Sequence, residues 1–423
     1  MIKPTILFRG PVKTRSGYGS HARDVLESLY KMNIFDIKID SCLWGVTPLT
    51  ALEENNLFHN WIESNIVDRY ENIPDIYIQV TIPNEFQRLG KYNIGITAGI
   101  ETTLAPKDWI EGCNRMDLIV TTSNFSRDVL AATVYDERNQ RTNELIKQHK
   151  ITKPIEVLFE GVDTNTYNDK TDDSFELNIN EDFAFLFVGH WLKGDIGQDR
   201  KDVGMLIKCF GEAFKEFEDK PALILKTSSA NFSVKERENF RIKIQDITKT
   251  VANCPPIYLL FGELTNKEMN ALYNHPKIKA MVSITKGEGF GRPLLEFSLT
   301  GKPIIASNWS GHKDFLSLEY SVLIGGKISD VHESAQDNFI IKNSKWFTAN
   351  YDEFVFAMKT VKDNYSDFLK KSNPLKEINK LNFSLEKMTE IFKKIITDKF
   401  NINIKPIPQP KYTQLILPKL NKI

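Results

Sequence analysis

The sequence predicts an α/β protein of two domains, each built on a doubly wound parallel sheet. The chain has 423 residues, which exceeds one ordinary core and suits two domains of roughly 170 to 200 residues. Short apolar segments of strand length alternate with longer segments of helical periodicity, which is typical of parallel sheets covered by helices. The same alternation starts again after a polar stretch at residues 168–182.

In the first half, a strand is predicted at residues 5–8, followed by a loop rich in Gly and Ser and then by a helix. Apolar residues keep helical spacing in that helix at Ala22, Val25, Leu26, Leu29 and Tyr30. Further strands are predicted at residues 34–39, 76–80, 92–97, 118–121 and 154–158. Ser123 is placed to cap a helix that runs through Leu130. We assign residues 1–167 to this first domain.

The second half repeats this pattern from a strand predicted at residues 183–188. Apolar residues of the next helix keep helical spacing at Val203, Leu206, Ile207, Phe210 and Phe214. More strands are predicted at residues 222–226, 257–261, 279–284 and 303–307. We assign residues 168–380 to the second domain, 381–401 to a last helix, and the Pro-containing residues 402–423 to an extended tail. Its lysines are typical of a solvated tail or of a weak contact with an anionic partner.

The composition limits the function classes. Lys plus Arg equals Asp plus Glu, at 55 each, so any phosphate binding must be local rather than driven by an overall field. The four cysteines form no C-x-x-C pair and no cluster with histidine, which argues against a zinc site and a disulfide framework. The sequence has neither a signal-peptide pattern nor a membrane-spanning run. We therefore expect a cytoplasmic protein that is not an integral membrane protein.

The most informative segment is Glu288-Gly-Phe-Gly-Arg-Pro-Leu-Leu-Glu296, which sets two carboxylates eight positions apart around a glycine loop. It follows a predicted strand and opens a predicted helix, and ligands of doubly wound sheets bind beyond the carboxyl ends of the strands. Gly289 and Gly291 allow the backbone to approach a ligand closely. We expect Glu296 on the first helical turn, within reach of two neighbouring hydroxyls. The alternative is that Glu296 only caps the helix electrostatically and Glu288 is a solvated loop residue.

This nonapeptide resembles the Glu-x7-Glu signature of retaining glycosyltransferases of family 4. The resemblance implies the GT-B fold, in which two Rossmann-like domains face each other across a cleft and a last helix returns to the first domain. It implies that Glu296 holds the nucleotide ribose and that Glu288 lies beside the donor sugar. It also assigns Phe290 and Gly291, with Gly289, to donor binding through backbone groups.

The loop after the first strand of the second domain, residues 189–202, ends in two adjacent cations, Arg200 and Lys201. Fixed cations stabilise the charge that develops on a leaving phosphate, and each charge-assisted hydrogen bond contributes about 1.5–3 kcal/mol. By itself such a pair is more often a solvated surface feature. The chain contains no Asp-x-Asp, which fits support of the leaving group without a metal. By resemblance this loop holds the pyrophosphate, but His190 stands where the family usually has Arg.

Two further loops complete the predicted donor side. Gly17 and Gly19 lie in a segment that resembles the glycine loop by which the first domain of such enzymes approaches the donor, and Leu264 lies in a loop that resembles the one meeting the nucleobase. The first segment also spells G-x-G-x-x-A, with Asp40 lying 21 residues beyond Gly19, so a dinucleotide-binding dehydrogenase is an alternative. The spacing argues against this alternative. Eight residues separate Phe8, at the end of the predicted strand, from Gly17, whereas the dinucleotide-binding fingerprint needs a tight turn directly after the strand.

On the acceptor side, Glu101 follows the strand at residues 92–97, where its carboxylate is placed to face an acceptor hydroxyl or to cap the next segment. The segments from Ser123 to Ser126 and from Phe159 to Asp163 resemble family marks without a clear role. His312 occupies a loop in which many relatives carry Gly-x-x-Glu, where it contacts the donor or fills space.

We therefore expect a retaining glycosyltransferase that moves a hexose or pentose from a nucleotide diphosphate sugar to a hydroxyl acceptor, with neither a cofactor nor a metal. The acceptor is a glycan, a small molecule or modified DNA; the sequence names neither it nor the sugar and base. Alternatives are a nucleotide-sugar epimerase of the same fold, a glycosyltransferase acting on modified nucleobases in DNA, and a non-catalytic binding protein.

Overall fold

The computed structural model of the protein describes residues 3–53, 56–171, 175–229 and 232–400. The predicted tail at residues 402–423 lies outside these ranges.

Among the described residues of the first half, eight strands occur: β1 (Thr5–Gly10), β2 (Asp36–Ser41), β3 (Ile76–Val80), β4 (Tyr92–Thr97), β5 (Leu118–Thr121), β6 (Tyr135–Arg138), β7 (Leu145–His149) and β8 (Ile155–Val157). The α-helices that accompany them are α1 (Gly17–Met32), α2 (Leu57–Asn65), α3 (Lys107–Arg115) and α4 (Asn124–Ala132). Six of the strands form a sheet in the order β2-β1-β3-β4-β5-β8, in which every pairing is parallel. β6 and β7 form a separate antiparallel hairpin.

The second half contains β9 (Ala184–Val188), β10 (Ala222–Lys226), β11 (Ile257–Leu260), β12 (Ile278–Ser283), β13 (Ile304–Ser307), β14 (Val322–Ile324), β15 (Gly326–Asp330) and β16 (Lys345–Ala349). Its helices are α5 (Val203–Phe214), α6 (Val234–Thr248), α7 (Asn266–Asn274), α8 (Arg292–Ser298), α9 (Tyr351–Asp363), α10 (Tyr365–Asn382) and α11 (Leu385–Phe400). The sheet order is β11-β10-β9-β12-β13-β14, again all parallel. This strand order is that of dinucleotide-binding domains, and the prediction of two doubly wound parallel sheets is confirmed.

Runs of buried residues, most of them apolar, explain why these strands form the centres of parallel sheets. All five residues of β3 are buried, as are the first four of β9. A strand covered by helices on both faces has no solvent-exposed face, so its residues do not alternate between apolar and polar. Phe185 and Phe187 of β9 pack with Phe210 and Phe214 of α5 in one core cluster. The sheet of the second domain is thereby packed against α5.

Two antiparallel hairpins were not predicted from the sequence. The first four residues of β7 are exposed, as are three of the four residues of β6, so neither strand carries an apolar alternation. The hairpin β15–β16 contacts the first half of the chain, since the Thr103 amide donates to the Lys345 carbonyl at 2.8 Å. The Lys345 amide in turn donates to Thr103 Oγ1 at 2.9 Å.

The last helix, α11, packs against α1 of the first domain. Val162 forms an isolated parallel bridge with Ser384 just before α11, and Thr389 Oγ1 donates to Ser28 Oγ at 3.0 Å. Gly161 lies so close to α11 that an added Cβ would stand 2.7 Å from Leu385 Cα. Of the helices in the described ranges, none has both the length and the apolar composition needed to cross a membrane.

We predict that Gly161→Ala destabilises the protein by about 1–3 kcal/mol, because the new methyl group overlaps backbone that cannot move without displacing α11. The measurement is urea unfolding followed by circular dichroism. Gly17→Ala is the matched control, since an added Cβ there meets nothing within 4 Å. Equal stability of the two variants would contradict the close packing of α11.

Candidate active site

The loop between β12 and α8 is pressed against the first domain. A Cβ added to Gly287 would lie 1.9 Å from the Glu101 carbonyl oxygen, and one added to Gly289 would lie 2.0 Å from the Ala98 carbonyl oxygen. Cβ atoms do not approach oxygen this closely, so only glycine fits at either position. Across the same contact, Ser123 Oγ donates to the Gly289 carbonyl at 2.5 Å. The loop that carries Glu288 is therefore held between the two domains.

The four predicted catalytic residues come together at this contact. Lys201 Nζ donates to Glu288 Oε1 in a very short hydrogen bond. Arg200 Nη1 lies 3.5 Å from Glu288 Oε2 and donates to the Gly287 carbonyl at 3.0 Å. The same guanidinium nitrogen lies 3.6 Å from Glu101 Oε1 of the first domain. Two cations from the β9–α5 loop thus face one carboxylate from each domain.

Burial and pairing together set the charge state of this group. Glu288 and Lys201 are only 7% and 8% exposed. Burial alone would raise the pKa of Glu288, but the charges of Lys201 and Arg200 lower it to about 2. Burial lowers the pKa of Lys201 and raises that of Glu101. Glu288 is therefore ionised at neutral pH. The alternative that it is a solvated loop residue does not fit its burial.

A second buried pair fixes the backbone beneath the cations. Asp202 immediately precedes α5 and has a φ of 54°. Lys286 Nζ lies 3.0 Å from Asp202 Oδ2, and both side chains are at most 1% exposed. Tyr351 donates to the same carboxylate oxygen at 2.8 Å. The Lys286 amide also donates to the Arg200 carbonyl at 2.7 Å. Sequence reasoning missed this pair, although a Lys two residues after the strand predicted at residues 279–284 was a usable signal.

Glu296 belongs to a second charged group at the same interdomain contact. Because α8 begins at Arg292, Glu296 lies in its second turn rather than the first, where the sequence had placed it. Glu296 Oε1 accepts from Arg292 Nε at 2.9 Å, and Oε2 accepts from Tyr273 at 3.2 Å. Arg292 also forms a very short ion pair with Asp24 of α1. Arg292 therefore connects the second carboxylate of the nonapeptide to the first domain.

This second group holds more carboxylates than cations. Glu160 Oε2 lies 3.8 Å from Arg292 Nη1, so three carboxyl groups surround one guanidinium. Burial raises the pKa of Asp24 and of Glu296, in each case against the opposing effect of Arg292. Burial and the neighbouring carboxylates raise the pKa of Glu160 to about 8. Glu160 is therefore mostly protonated at neutral pH, which relieves the excess negative charge.

The remaining predicted residues of the nonapeptide have structural positions that the sequence did not distinguish. Gly291 adopts φ of 100° before α8, a left-handed conformation that favours glycine. The Phe290 side chain is buried against Phe315, with ring centroids 5.1 Å apart, which leaves only its backbone for a ligand. Nearby, His312 Nε2 pairs with the Ser307 carbonyl at 2.6 Å.

The other predicted donor-binding residues make no described hydrogen bond or ion pair with Glu288. His190 Nδ1 lies 3.3 Å from the Ser228 carbonyl. Leu264 is partly buried against the first core cluster. Gly17 is exposed at the start of α1, and Gly19 packs so tightly that an added Cβ would lie 2.2 Å from the Thr14 carbonyl oxygen.

The segment from Ser123 to Ser126, noted only as a family mark, has a clear structural role. Besides Ser123, the hydroxyls of Thr122 and Ser126 each lie 3.3 Å from the Gly289 carbonyl oxygen. Three hydroxyls of the first domain thus converge on one carbonyl of the second. Within the residues that the structure describes, no three His, Cys, Asp or Glu side chains are grouped so that they could hold a metal ion.

No protein-family model matches the chain, and a search of curated proteins finds no match to its sequence. Solved structures do match. HepE of Anabaena, crystallised with UDP and glucose, has 11% identity and a TM-score of 0.60, with 93% of this chain and 100% of HepE covered. A glycosyltransferase from Rickettsia africae has 14% identity and a TM-score of 0.60, with 94% and 98% covered.

Sucrose-phosphate synthase from Thermosynechococcus elongatus is also similar, with 12% identity, a TM-score of 0.61, and 94% of this chain and 100% of the synthase covered. At such low identities these similarities establish the fold alone. The two six-stranded parallel-sheet domains have the GT-B fold of glycosyltransferases, as the resemblance had implied.

We predict that Glu160→Gln makes the free energy of unfolding less dependent on pH between about 5 and 8. The folded protein holds a proton on Glu160 up to about pH 8, whereas an unfolded glutamate releases it near pH 4.3. Stability is therefore lost as pH rises through this window, by up to about 1.4 kcal/mol per pH unit.

The measurement is urea unfolding at pH 5.5, 6.5 and 7.5 for the wild type, Glu160→Gln and the control Glu144→Gln, which alters an exposed carboxylate. The Glu160 variant should lose less stability than the others over this range. Parallel pH dependence in all three proteins would show that Glu160 is already ionised in the folded state.

Proposed function

We propose that the protein is a retaining glycosyltransferase of the family 4 type, which moves a hexose or pentose from a nucleoside diphosphate sugar to a hydroxyl acceptor without a metal ion. The observation that carries this proposal is the convergence of Lys201 and Arg200 on Glu288 and Glu101 between the two domains. We also propose a cytoplasmic location.

The two cations suit the costly step of sugar transfer. When the bond between the anomeric carbon and the phosphate oxygen breaks, negative charge develops on the diphosphate. Lys201 and Arg200 are fixed by buried backbone and charge contacts, so little reorganisation is needed to stabilise that charge. Charge-assisted hydrogen bonds to phosphate are among the stronger ones in proteins. The pair can therefore act in place of a metal ion.

The proposed reaction needs no covalent enzyme intermediate. The acceptor oxygen forms its bond to the anomeric carbon on the face from which the phosphate departs, so the configuration is retained. The acceptor proton passes to the departing phosphate oxygen, which leaves as the nucleoside diphosphate. Glu288 accepts hydrogen bonds from sugar hydroxyls, and Glu101 faces the acceptor from the first domain.

The nucleotide end of the donor is assigned to the second charged group. Glu296 accepts hydrogen bonds from two ribose hydroxyls, which replace the hydrogen bonds that Arg292 and Tyr273 donate to it in this structure. Leu264 lies in the loop that we propose contacts the base. His190 and Gly17 would border the diphosphate. The crystallisation of HepE with UDP and with UDP-glucose supports a nucleotide-sugar donor for a chain of this fold.

The donor class is tested first by thermal shift with UDP, GDP, ADP and CMP sugars and with NAD, because a bound ligand raises the melting temperature by an amount that grows with the ratio of its concentration to its dissociation constant. Stabilisation by one nucleotide sugar and not by NAD supports the proposal. Stabilisation by NAD alone would favour a dehydrogenase, and conversion of the sugar without an acceptor would favour an epimerase.

We predict that Lys201→Ala lowers kcat for sugar transfer on the order of 10- to 100-fold while the KM for the donor changes little, because one charge-assisted hydrogen bond to the leaving phosphate is lost. Initial rates over a range of donor concentrations give both constants. Lys193→Ala, in the same loop but bonded to the Gln336 carbonyl, is the control. Wild-type kcat in the Lys201 variant would refute its assigned role.

We predict that Glu296→Gln raises the dissociation constant of the donor about tenfold and leaves kcat at saturating donor within a few-fold, because the amide offers the ribose one acceptor oxygen instead of two. Isothermal titration of the selected nucleotide sugar measures the affinity. Glu144→Gln serves again as an exposed control. Unaltered donor affinity in the Glu296 variant would remove that residue from the ribose site.

A further inference from the structure

An uncharged apolar segment follows β2 on the first domain. In a chain where 26% of residues are charged, residues 41–52 carry no charged side chain. Leu43, Val46 and Leu49 within it are 71%, 72% and 50% exposed. Single exposed apolar residues are common, whereas a group of them close together on a surface is typical of a binding site. We call residues 41–52 the apolar segment.

Trp44 of the apolar segment stacks on Tyr18, with ring centroids 4.1 Å apart and an interplanar angle of 27°. Tyr18 is fixed in turn, because its hydroxyl lies 2.9 Å from Thr97 Oγ1 and accepts from the Ala98 amide at 3.2 Å. Ala98 is the residue against which Gly289 packs. The aromatic stack is therefore attached to the β4–α3 loop, which also carries Glu101.

The apolar segment also reaches the second domain. Thr50 Oγ1 donates to Glu263 Oε2 at 2.9 Å, and Arg15 Nε lies 3.1 Å from the same oxygen. The Arg15 amide donates to the Pro48 carbonyl at 2.9 Å. Glu263 precedes Leu264 in the loop assigned to the nucleobase. The segment thus borders the interdomain contact at the loops that carry the candidate site.

We propose that Trp44, stacked on Tyr18, is the platform on which the acceptor binds, and that the acceptor is an uncharged molecule whose accepting hydroxyl adjoins an apolar ring, as in an aryl glycoside. This inference rests on the proposed glycosyl transfer and names its acceptor class. The acceptor must reach the donor from the first domain, which faces Glu288. The Trp44 platform is connected to this face of the first domain through Tyr18 and Ala98.

The surrounding charges favour an uncharged acceptor. Arg9 at the end of β1 is paired with Asp40 at 2.5 Å, and Arg15 is paired with Glu263. The apolar segment itself offers no charge to an ionic acceptor. An aromatic ring laid on an indole is stabilised by ring–ring contact beyond the apolar area that it buries. Contact with exposed Leu43 and Val46 adds to this gain.

The experiment compares matched acceptors with the donor selected by thermal shift. Phenyl and methyl glycosides of the same sugar differ only in the apolar ring, and the corresponding glucuronide adds a charge. The wild type should prefer the phenyl glycoside in kcat/KM. Trp44→Ala should raise the KM for the phenyl glycoside about tenfold and that for the methyl glycoside much less, and Trp44→Phe should recover most of the preference. Leu381→Ala, at an exposed apolar residue of α10, is the control.

Equal use of phenyl and methyl glycosides by the wild type, a preference for the glucuronide, or a preference for phenyl that survives in Trp44→Ala would overturn the inference. These outcomes are distinct from failure of the proposed function. If the proposed function is wrong, no nucleotide sugar stabilises the wild type and no sugar is transferred to any acceptor. The acceptor platform is then wrong as well.

Discussion

The pairing of buried Glu288 with Lys201 is the interaction on which the rest of the candidate site depends. An ionised carboxylate that is 7% exposed is costly unless cations and hydrogen bonds replace its water. Both cations come from one loop, whose backbone is held by the fully buried Asp202–Lys286 pair. Two layers of charge pairing therefore connect α5 to the loop before α8, and removal of one partner would leave an uncompensated buried charge.

The second constraint on the site is the close approach of the backbones of the two domains. This approach, rather than backbone flexibility, explains why the loop before α8 contains glycines. Gly287 and Gly289 are needed because carbonyl oxygens of the first domain occupy the space of a side chain, and a Cβ at Gly311 would lie 2.2 Å from the Gly289 carbonyl oxygen. The Gly289 carbonyl points at hydroxyl donors, of which Ser123 is nearest at 2.5 Å. A carbonyl buried between domains must find donors, and the serine segment of the first domain supplies them.

The sequence was sufficient for elements whose signal is local. Apolar runs such as β3 and β9 gave the strands, and the nonapeptide with the Arg200–Lys201 loop gave residues that the fold does bring together. What could not be predicted depends on partners distant in sequence. Asp24 and Arg292 are separated by 268 positions, and Asp24 looks like any polar residue of an amphipathic helix. The β6–β7 hairpin was missed because its exposed strands lack apolar alternation. The β15–β16 hairpin contacts Thr103, which lies 242 positions from Lys345. Glu296 was placed in the first turn of α8 rather than the second because the exact start of a helix depends on local backbone geometry.

The charge balance of the site constrains how a donor can enter. Around Glu288, two cations face two carboxylates, so the group is neutral when all four are ionised. A diphosphate adds negative charge, and it can bind here only if the cations exchange their carboxylate partners for phosphate oxygens. Glu288 would then lose its ion pair while remaining buried, and it would need new hydrogen-bond donors to stay ionised. The hydroxyls of a sugar attached to that diphosphate are such donors. In the proposed function, therefore, the cation that binds the leaving group and the carboxylate that orients the sugar are coupled, because each becomes available when the other is released.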